Sequence, residues 1–74
     1  MKLTMLEKGC CGVITENLVS DSIKTRLWDI GFICGSKVEC VGKKSHHGPY
    51  AYLIKGSVFS LRHTEAKYIS VNPL

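Results

Sequence analysis

The stretch "RLWDIGFICGSKVEC", residues 26–40, decides how this chain folds. It places Gly31 and Gly35 between two apolar runs, together with Cys34 and Cys40. Two interpretations compete: a metal or redox site around the cysteines, or a helix that ends at the first glycine and turns into a strand. Glycine adopts positive φ at little cost, which helix ends and tight turns require. The patterns on either side favour the second interpretation.

Apolar residues at helical spacing precede the first glycine. Ile23, Leu27 and Ile30 follow one another at i, i+4 and i+7, so they lie on one face of a helix. Polar residues just before this segment can cap its N-terminus by accepting hydrogen bonds from the free amides of the first turn. The sequence therefore predicts one short helix, at about 21–30, that is inserted between strands and ends at the glycine.

Short alternating runs in the rest of the chain are typical of β-strands. The third and fourth runs are separated by Lys55-Gly56-Ser57, which predicts a hairpin connection with a glycine where positive φ is needed. A single helical turn is predicted at 64–67. The five predicted strands are 11–18, 37–44, 50–54, 58–62 and 68–71. We therefore expect a mostly β fold in one domain, 1–74: a small antiparallel barrel of about five strands, whose closure would leave no exposed edge.

The size and composition of the chain exclude several functional classes. A chain of 74 residues leaves little room for both a core and a deep catalytic pocket, so we do not expect an enzyme.

The net charge of +4 comes from scattered lysines and arginines, so no nucleic-acid partner is predicted. A nucleic-acid-binding barrel is the alternative that salt-sensitive binding would favour. With no signal peptide or membrane-length apolar run, we expect a cytoplasmic protein with reduced thiols.

Four cysteines and three histidines are the candidate metal ligands. Structural zinc sites usually contain pairs of ligands about two to four residues apart. Cys10 and Cys11 are adjacent, as are the histidines at 46–47, and Cys34 and Cys40 are spaced too widely for that pattern. The sequence therefore predicts no metal site, no cofactor and no catalytic residue. A metal-binding chaperone or sensor that uses cysteine and histidine ligands stays open as the alternative function.

Two stretches together resemble one known family. "RLWDIGFICGSKVECV" (26–41) and "VFSLRHTEAKYISV" (58–71) are similar to the FeoA family, small cytosolic accessory proteins of bacterial ferrous-iron uptake. The resemblance extends to residues 3–14, with one departure: the proline that usually precedes the turn glycine is Cys34 here. The positions that carry the pattern are Arg26-Leu27, Ile30-Gly31, Gly35-Ser36, Leu61-Arg62, Ala66 and Ile69-Ser70-Val71.

The resemblance implies an SH3-like barrel that works beside the membrane ferrous-iron transporter, a GTPase-linked permease. We expect an accessory or regulatory protein that binds the cytosolic part of this transporter; a homo-oligomer is left open. SH3-like domains commonly bind peptides through grooves lined with aromatic rings. The alternation in 50–54 puts two tyrosines on one strand face, which we expect to be accessible to solvent. The predicted contact residues are Arg26, Trp28, Asp29, Phe32, Tyr50 and Tyr52.

Overall fold

The computed structural model describes residues 1–18, 27–29, 31–43 and 49–74. Its strands are β1 (Cys11–Asn17), β2 (Lys37–Lys43), β3 (Tyr50–Ile54), β4 (Ser57–Leu61) and β5 (Ile69–Pro73). A 3-10 turn at Leu3–Met5 precedes β1, and helix α1 (His63–Ala66) joins β4 to β5. Residues 27–29 are helical, while the rest of the predicted helix 21–30 lies outside the described residues. Among the described residues, no helix has the length and apolar character needed to cross a membrane.

The five strands form one antiparallel sheet in the order β4-β3-β2-β1-β5. This confirms the prediction of about five antiparallel strands. The expected complete closure is wrong in one respect, because no pairing joins β4 to β5 in the described part of the chain. The physical reason lies at β5, whose outer edge is already paired with the N-terminal backbone. The Val71 N–H donates to the Met1 carbonyl at 2.7 Å, and Lys2 forms an isolated bridge with Ser70.

Two irregularities in register bend the sheet around its core. One lies between Ile14 and Glu16, where β1 pairs with β5, and the other lies between Cys40 and Gly42, where β2 pairs with β3. An extra residue on one strand bends that strand and increases its local twist. Five short strands can therefore wrap around a common set of buried side chains.

The core is built from alternate strand positions and from the segment that follows the helical turn. Tyr50, Tyr52 and Ile54 share one face of β3, and all three are buried. The ring of Phe32 packs edge-on against the ring of Tyr52, with 6.4 Å between centroids. The Tyr52 hydroxyl donates to the Leu3 carbonyl at 3.4 Å, which attaches the 3-10 turn to the sheet. The fully buried set also includes Leu6, Ile14, Leu27, Val38, Cys40, Ile69 and Val71.

Gly31 ends the helical turn as the sequence predicts. Its φ is +104°, and the adjoining Phe32 N–H donates to the Leu27 carbonyl at 2.8 Å. Gly35 also has positive φ, at +92°, and its N–H donates to the Ile14 carbonyl at 2.7 Å. The stretch 26–40 therefore contains two backbone turns that lead into β2.

The hairpin between β3 and β4 has a loop of two residues. Lys55 and Gly56 both have positive φ, at 50° and 81°, and Ile54 pairs directly with Ser57. Positive φ at both central residues is the signature of a type I′ turn, whose twist matches that of the flanking strands. The turn therefore fixes the register of β4 against β3.

Gly31→Ala should lower the free energy of unfolding by about 1–2 kcal/mol, because an L-residue is disfavoured at positive φ. The added Cβ would also come within 3.1 Å of the Lys55 side chain. Gly42→Ala is the control: its Cβ would meet only the Ala51 Cβ, at 3.9 Å, so a change of less than about 0.5 kcal/mol is expected. Urea denaturation measures both. Equal effects of the two substitutions would contradict the role given to Gly31.

Candidate partner-binding surface

A groove runs between β4 and the helical turn at 27–29. The half-buried Phe59 forms its floor, with a cavity on each side. The cavity toward α1 has a volume of about 510 Å³ and is lined by Leu27, Pro49, Phe59, Ser60, Leu61, Arg62 and Glu65. The cavity toward the hairpin has a volume of about 280 Å³ and is lined by Trp28, Asp29, Gly31, Ile54, Lys55, Ser57 and Phe59. The larger cavity borders the C-terminal half of β4, the smaller one borders its start, and Phe59 lines both.

Trp28 stands on the wall of this groove with 52% of its surface exposed. Its neighbour Leu27 is fully buried in the core. Successive helical residues are rotated by about 100°, so a helix that buries Leu27 turns the next residue away from the core. Asp29 is exposed beside the tryptophan and lines the same cavity as Lys55. An exposed tryptophan beside charged groups is suited to anchor a protein partner.

Some backbone groups of β4 point away from β3. In a two-residue hairpin, the residues that flank the loop form a hydrogen-bonded pair, and such pairs alternate with non-hydrogen-bonded pairs along the strands. Since Ile54 and Ser57 close the loop, Phe59 also points its N–H and C=O groups at β3. Val58 and Ser60 therefore point theirs away from β3. Among the described residues, none accepts from or donates to these groups.

Three of the predicted contact residues belong to the core. Phe32 and Tyr52 are 0% exposed and Tyr50 is 5% exposed, so the expectation that the tyrosine face is accessible to solvent is wrong. The reason is that β3 lies between β2 and β4, and its tyrosine-bearing face is the one that the sheet curls around. Trp28 and Asp29 are at the surface as a contact role requires, and Arg26 lies outside the described residues.

The hydroxyls of both tyrosines find partners inside the protein. The Tyr50 hydroxyl lies 3.3 Å from Nδ1 of His63, whose ring packs edge-on against the Tyr50 ring. The Tyr52 hydroxyl donates to the Leu3 carbonyl, and burial raises the pKa of Tyr52 well above its ordinary value. Buried tyrosine hydroxyls normally need such partners. Both rings are therefore part of the core and help to stabilise the fold.

Comparison with known proteins identifies the family. A family model described as the FeoA domain matches residues 1–73. The chain belongs to the FeoA family. Comparison of the FeoA chain with the curated proteins finds no match.

Solved FeoA structures have the same fold as this chain. The FeoA protein of Chlorobium tepidum gives a TM-score of 0.93 at 27% identity, covering 100% of this chain and 70% of that chain. Iron(II) transport protein A of Clostridium thermocellum gives 0.92 at 30% identity, covering 100% of this chain and 46% of that chain. The zinc complex of Stenotrophomonas maltophilia FeoA gives 0.80 at 30% identity, covering 97% and 89%. That protein is described as a prokaryotic SH3 domain protein, so the expectation of an SH3-like fold is confirmed.

The cysteines of this FeoA chain are dispersed. Cys10 and Cys34 are exposed, and the half-buried Cys11 places its Sγ 3.7 Å from Oε1 of Glu39. Cys40 is buried, and desolvation raises the pKa of its thiol. Within residues 1–18, 27–29, 31–43 and 49–74, no three cysteine, histidine or acidic side chains come together to hold a metal. The histidines at 46–47 lie outside the described residues.

The sequence did not reveal the free edge of β4. The segment "SVFSL" contains no charged residue and no proline, which are the usual protections of an exposed edge strand. That composition was the available signal. The prediction of a closed barrel leaves no edge to protect, so it does not point to this signal.

N-ethylmaleimide applied to the folded protein should modify Cys10 and Cys34 rapidly and leave Cys40 unmodified. The thiolate is the reactive form, and burial both blocks access to Cys40 and raises its pKa. Peptide mass spectrometry over a time course measures each site, and denaturant should make Cys40 react as fast as the others. Rapid modification of Cys40 under native conditions would show that it is not held in the core.

Proposed function

We propose that this FeoA chain is a cytosolic accessory protein of ferrous-iron uptake. It docks on the cytosolic part of the membrane ferrous-iron transporter and changes the rate of uptake. Membership of the FeoA family supplies the iron-transport context. The S. maltophilia relative is described as a candidate activating factor for bacterial ferrous iron transport, which supports a regulatory role.

The exposed Trp28 is the observation that carries the docking surface. It lines a groove with Asp29 and Lys55, and it borders an apolar floor formed by Phe59. Aromatic side chains in partly desolvated pockets contribute a large share of the binding energy at protein interfaces. We therefore place the contact at residues 27–29 and the adjoining part of β4.

Binding, without catalysis, is the proposed mode of action. Nucleophilic catalysis by cysteine requires a thiolate held next to a base. In the described part of the chain, the thiols of Cys11, Cys34 and Cys40 lie against a carboxylate or backbone carbonyls, and Nδ1 of His63 lies against the Tyr50 hydroxyl. This arrangement supports a role as a binding module.

Trp28→Ala should weaken binding to the purified cytosolic domain of the transporter by about tenfold or more, since it removes the exposed anchor. The measurement is a titration of isotope-labelled protein, followed through its amide spectrum, together with a ferrous-iron uptake assay. Shifts should cluster at residues 27–36 and 54–62. The matched control is Tyr68→Ala, which removes a ring that is 48% exposed beside β5, at the other end of the strand order.

The control variant should bind like the native chain. Equal weakening by both substitutions would remove Trp28 from the contact surface. The absence of any amide shift with the native chain, with and without guanine nucleotide, would contradict docking on the cytosolic domain.

A metal-binding chaperone or sensor is the second candidate, and the zinc complex of the S. maltophilia relative favours it. Elemental analysis of the protein purified without a histidine tag distinguishes the two. Zinc sites in proteins need three or four protein ligands, and the described residues bring no three such side chains together. The docking proposal therefore predicts less than about 0.1 equivalent of bound metal per chain. Stoichiometric metal that is lost in a Cys10→Ser/Cys11→Ser variant would favour the chaperone instead.

A further inference from the structure

In the part of the chain that the structure describes, the outer edge of β4 is regular and lacks the usual protections. Its register with β3 continues without a break from Tyr50↔Leu61 to Ile54↔Ser57, and the strand contains no charge and no proline. Proteins normally protect a free edge with a bulge, a charged residue, a proline or a cover. The opposite end of the sheet has such a cover, since Met1 and Lys2 pair with β5. β4 is therefore suited to accept another strand.

The hydrogen-bonding groups of Val58 and Ser60 are spaced for a strand partner. Both residues point their N–H and C=O groups away from β3, and two residues of a strand span about 6.8 Å. This is the repeat at which an antiparallel neighbour forms its hydrogen-bonded pairs. An extended peptide laid beside β4 would satisfy four backbone groups without any change in β3.

The groove beside β4 determines which side chains such a peptide would carry. The two cavities, of about 510 and 280 Å³, share Phe59 as a lining residue, and the exposed Trp28 lines the smaller one. Side chains of an added strand alternate between its two faces, so every second one would lean into the groove. The rings of Phe59 and Trp28 favour aliphatic residues at the positions that would lie against them.

Charge favours a partner with acidic ends. β4 is uncharged, but exposed cations stand at both of its ends: Lys55 precedes it and Arg62 follows it. Two carboxylates face the same groove. Glu65 already accepts the Arg62 backbone N–H through Oε1 at 3.1 Å, and Asp29 stands on the opposite wall. The cationic side chains nearest the two ends of β4, Lys55 and Arg62, therefore give both ends a positive charge.

The same charges disfavour a second copy of this chain as the partner. Antiparallel pairing of β4 with itself about Phe59 would bring Arg62 of one copy opposite Gly56 of the other, next to Lys55. Like charges placed close together across strands are destabilising. Acidic residues in the same places would be attracted to both cations.

We propose that the outer edge of β4 binds an extended peptide as an added antiparallel strand, with alternating aliphatic residues in its centre and acidic residues at both ends. This inference rests on the proposed function, because such a segment would belong to the cytosolic part of the transporter. Backbone hydrogen bonds to Val58 and Ser60 would supply the affinity for the peptide, and the groove would bind its aliphatic side chains. Lys55 and Arg62 would favour acidic residues at the two ends of the peptide.

The test compares two synthetic peptides, EEVTVTVEE and KKVTVTVKK, titrated into isotope-labelled full-length protein. The acidic peptide should shift the amides of 27–29 and 57–62 and bind at least about tenfold more tightly than the lysine peptide at low salt. Added salt should narrow that difference, since exposed charges are screened. Equal affinities, shifts confined to other residues, or no binding of either peptide would overturn the proposal.

Val58→Pro removes an outward N–H and leaves the pairing with β3 intact, because proline is tolerated where the N–H of an edge strand faces solvent. It should weaken binding of EEVTVTVEE by about tenfold or more, while Val58→Thr, which keeps the N–H, should bind like the native chain. Unchanged affinity of the proline variant would contradict strand addition. Concentration-dependent dimers that the proline variant abolishes would identify a second copy as the occupant and overturn the peptide proposal. If the proline variant does not fold, the two-peptide comparison on the native chain decides.

The same variants separate this inference from the proposed function. Retention of transporter binding by Val58→Pro would overturn strand addition and leave docking on the transporter in place. Failure of the native chain to bind the transporter domain would overturn the proposed function. The peptide titration would still show whether the outer edge of β4 binds an added strand.

Discussion

Burial of the Tyr52 ring is the interaction on which the rest of this structure depends. The ring packs edge-on against Phe32 and Tyr50, with centroids 6.4 and 6.5 Å away. Its hydroxyl reaches the Leu3 carbonyl. The Tyr52 side chain thus links its own strand, β3, to the 3-10 turn before β1 and to the segment that follows the helical turn. Because a small domain has few core residues, each such contact is a large fraction of its stability.

This use of the aromatic residues also determines where a partner can bind. Three aromatic rings are buried in the core, those of Phe32, Tyr50 and Tyr52. The ring of Trp28 is exposed and lines the groove. The two-residue hairpin then decides which backbone groups of β4 face outward. Two local turns therefore contribute to both the core and the binding surface: the turn at the glycine that ends the helical residues, and the hairpin turn that fixes the register of β4.

Much of the fold could be predicted from local pattern. The alternation in 50–54 predicts both ends of β3, and the position of Gly31 after apolar residues at helical spacing predicts the end of the helical turn. Alternation shows which residues share a face, but it does not show which face is covered. That is why Tyr50 and Tyr52 were expected at the surface. The prediction of a closed barrel is wrong for a related reason. The pairing of Met1 with Val71 is made by backbone atoms, so it leaves no signature in the pattern of side chains. The free edge of β4 follows from that distant pairing.

The position of β5 between the N-terminal backbone and β1 has a consequence for how the chain acquires its structure. Residues 69–73 fill the space between the first two residues and 11–17, so contacts at this end of the sheet join segments far apart in sequence. We expect such contacts to form late, because closing the long loop between the two segments costs the most chain entropy. On a ribosome, the segment that precedes residue 69 would lack the strand that completes its core. Productive folding therefore awaits release of nearly the entire domain, and until then the apolar strands depend on being kept apart from other chains.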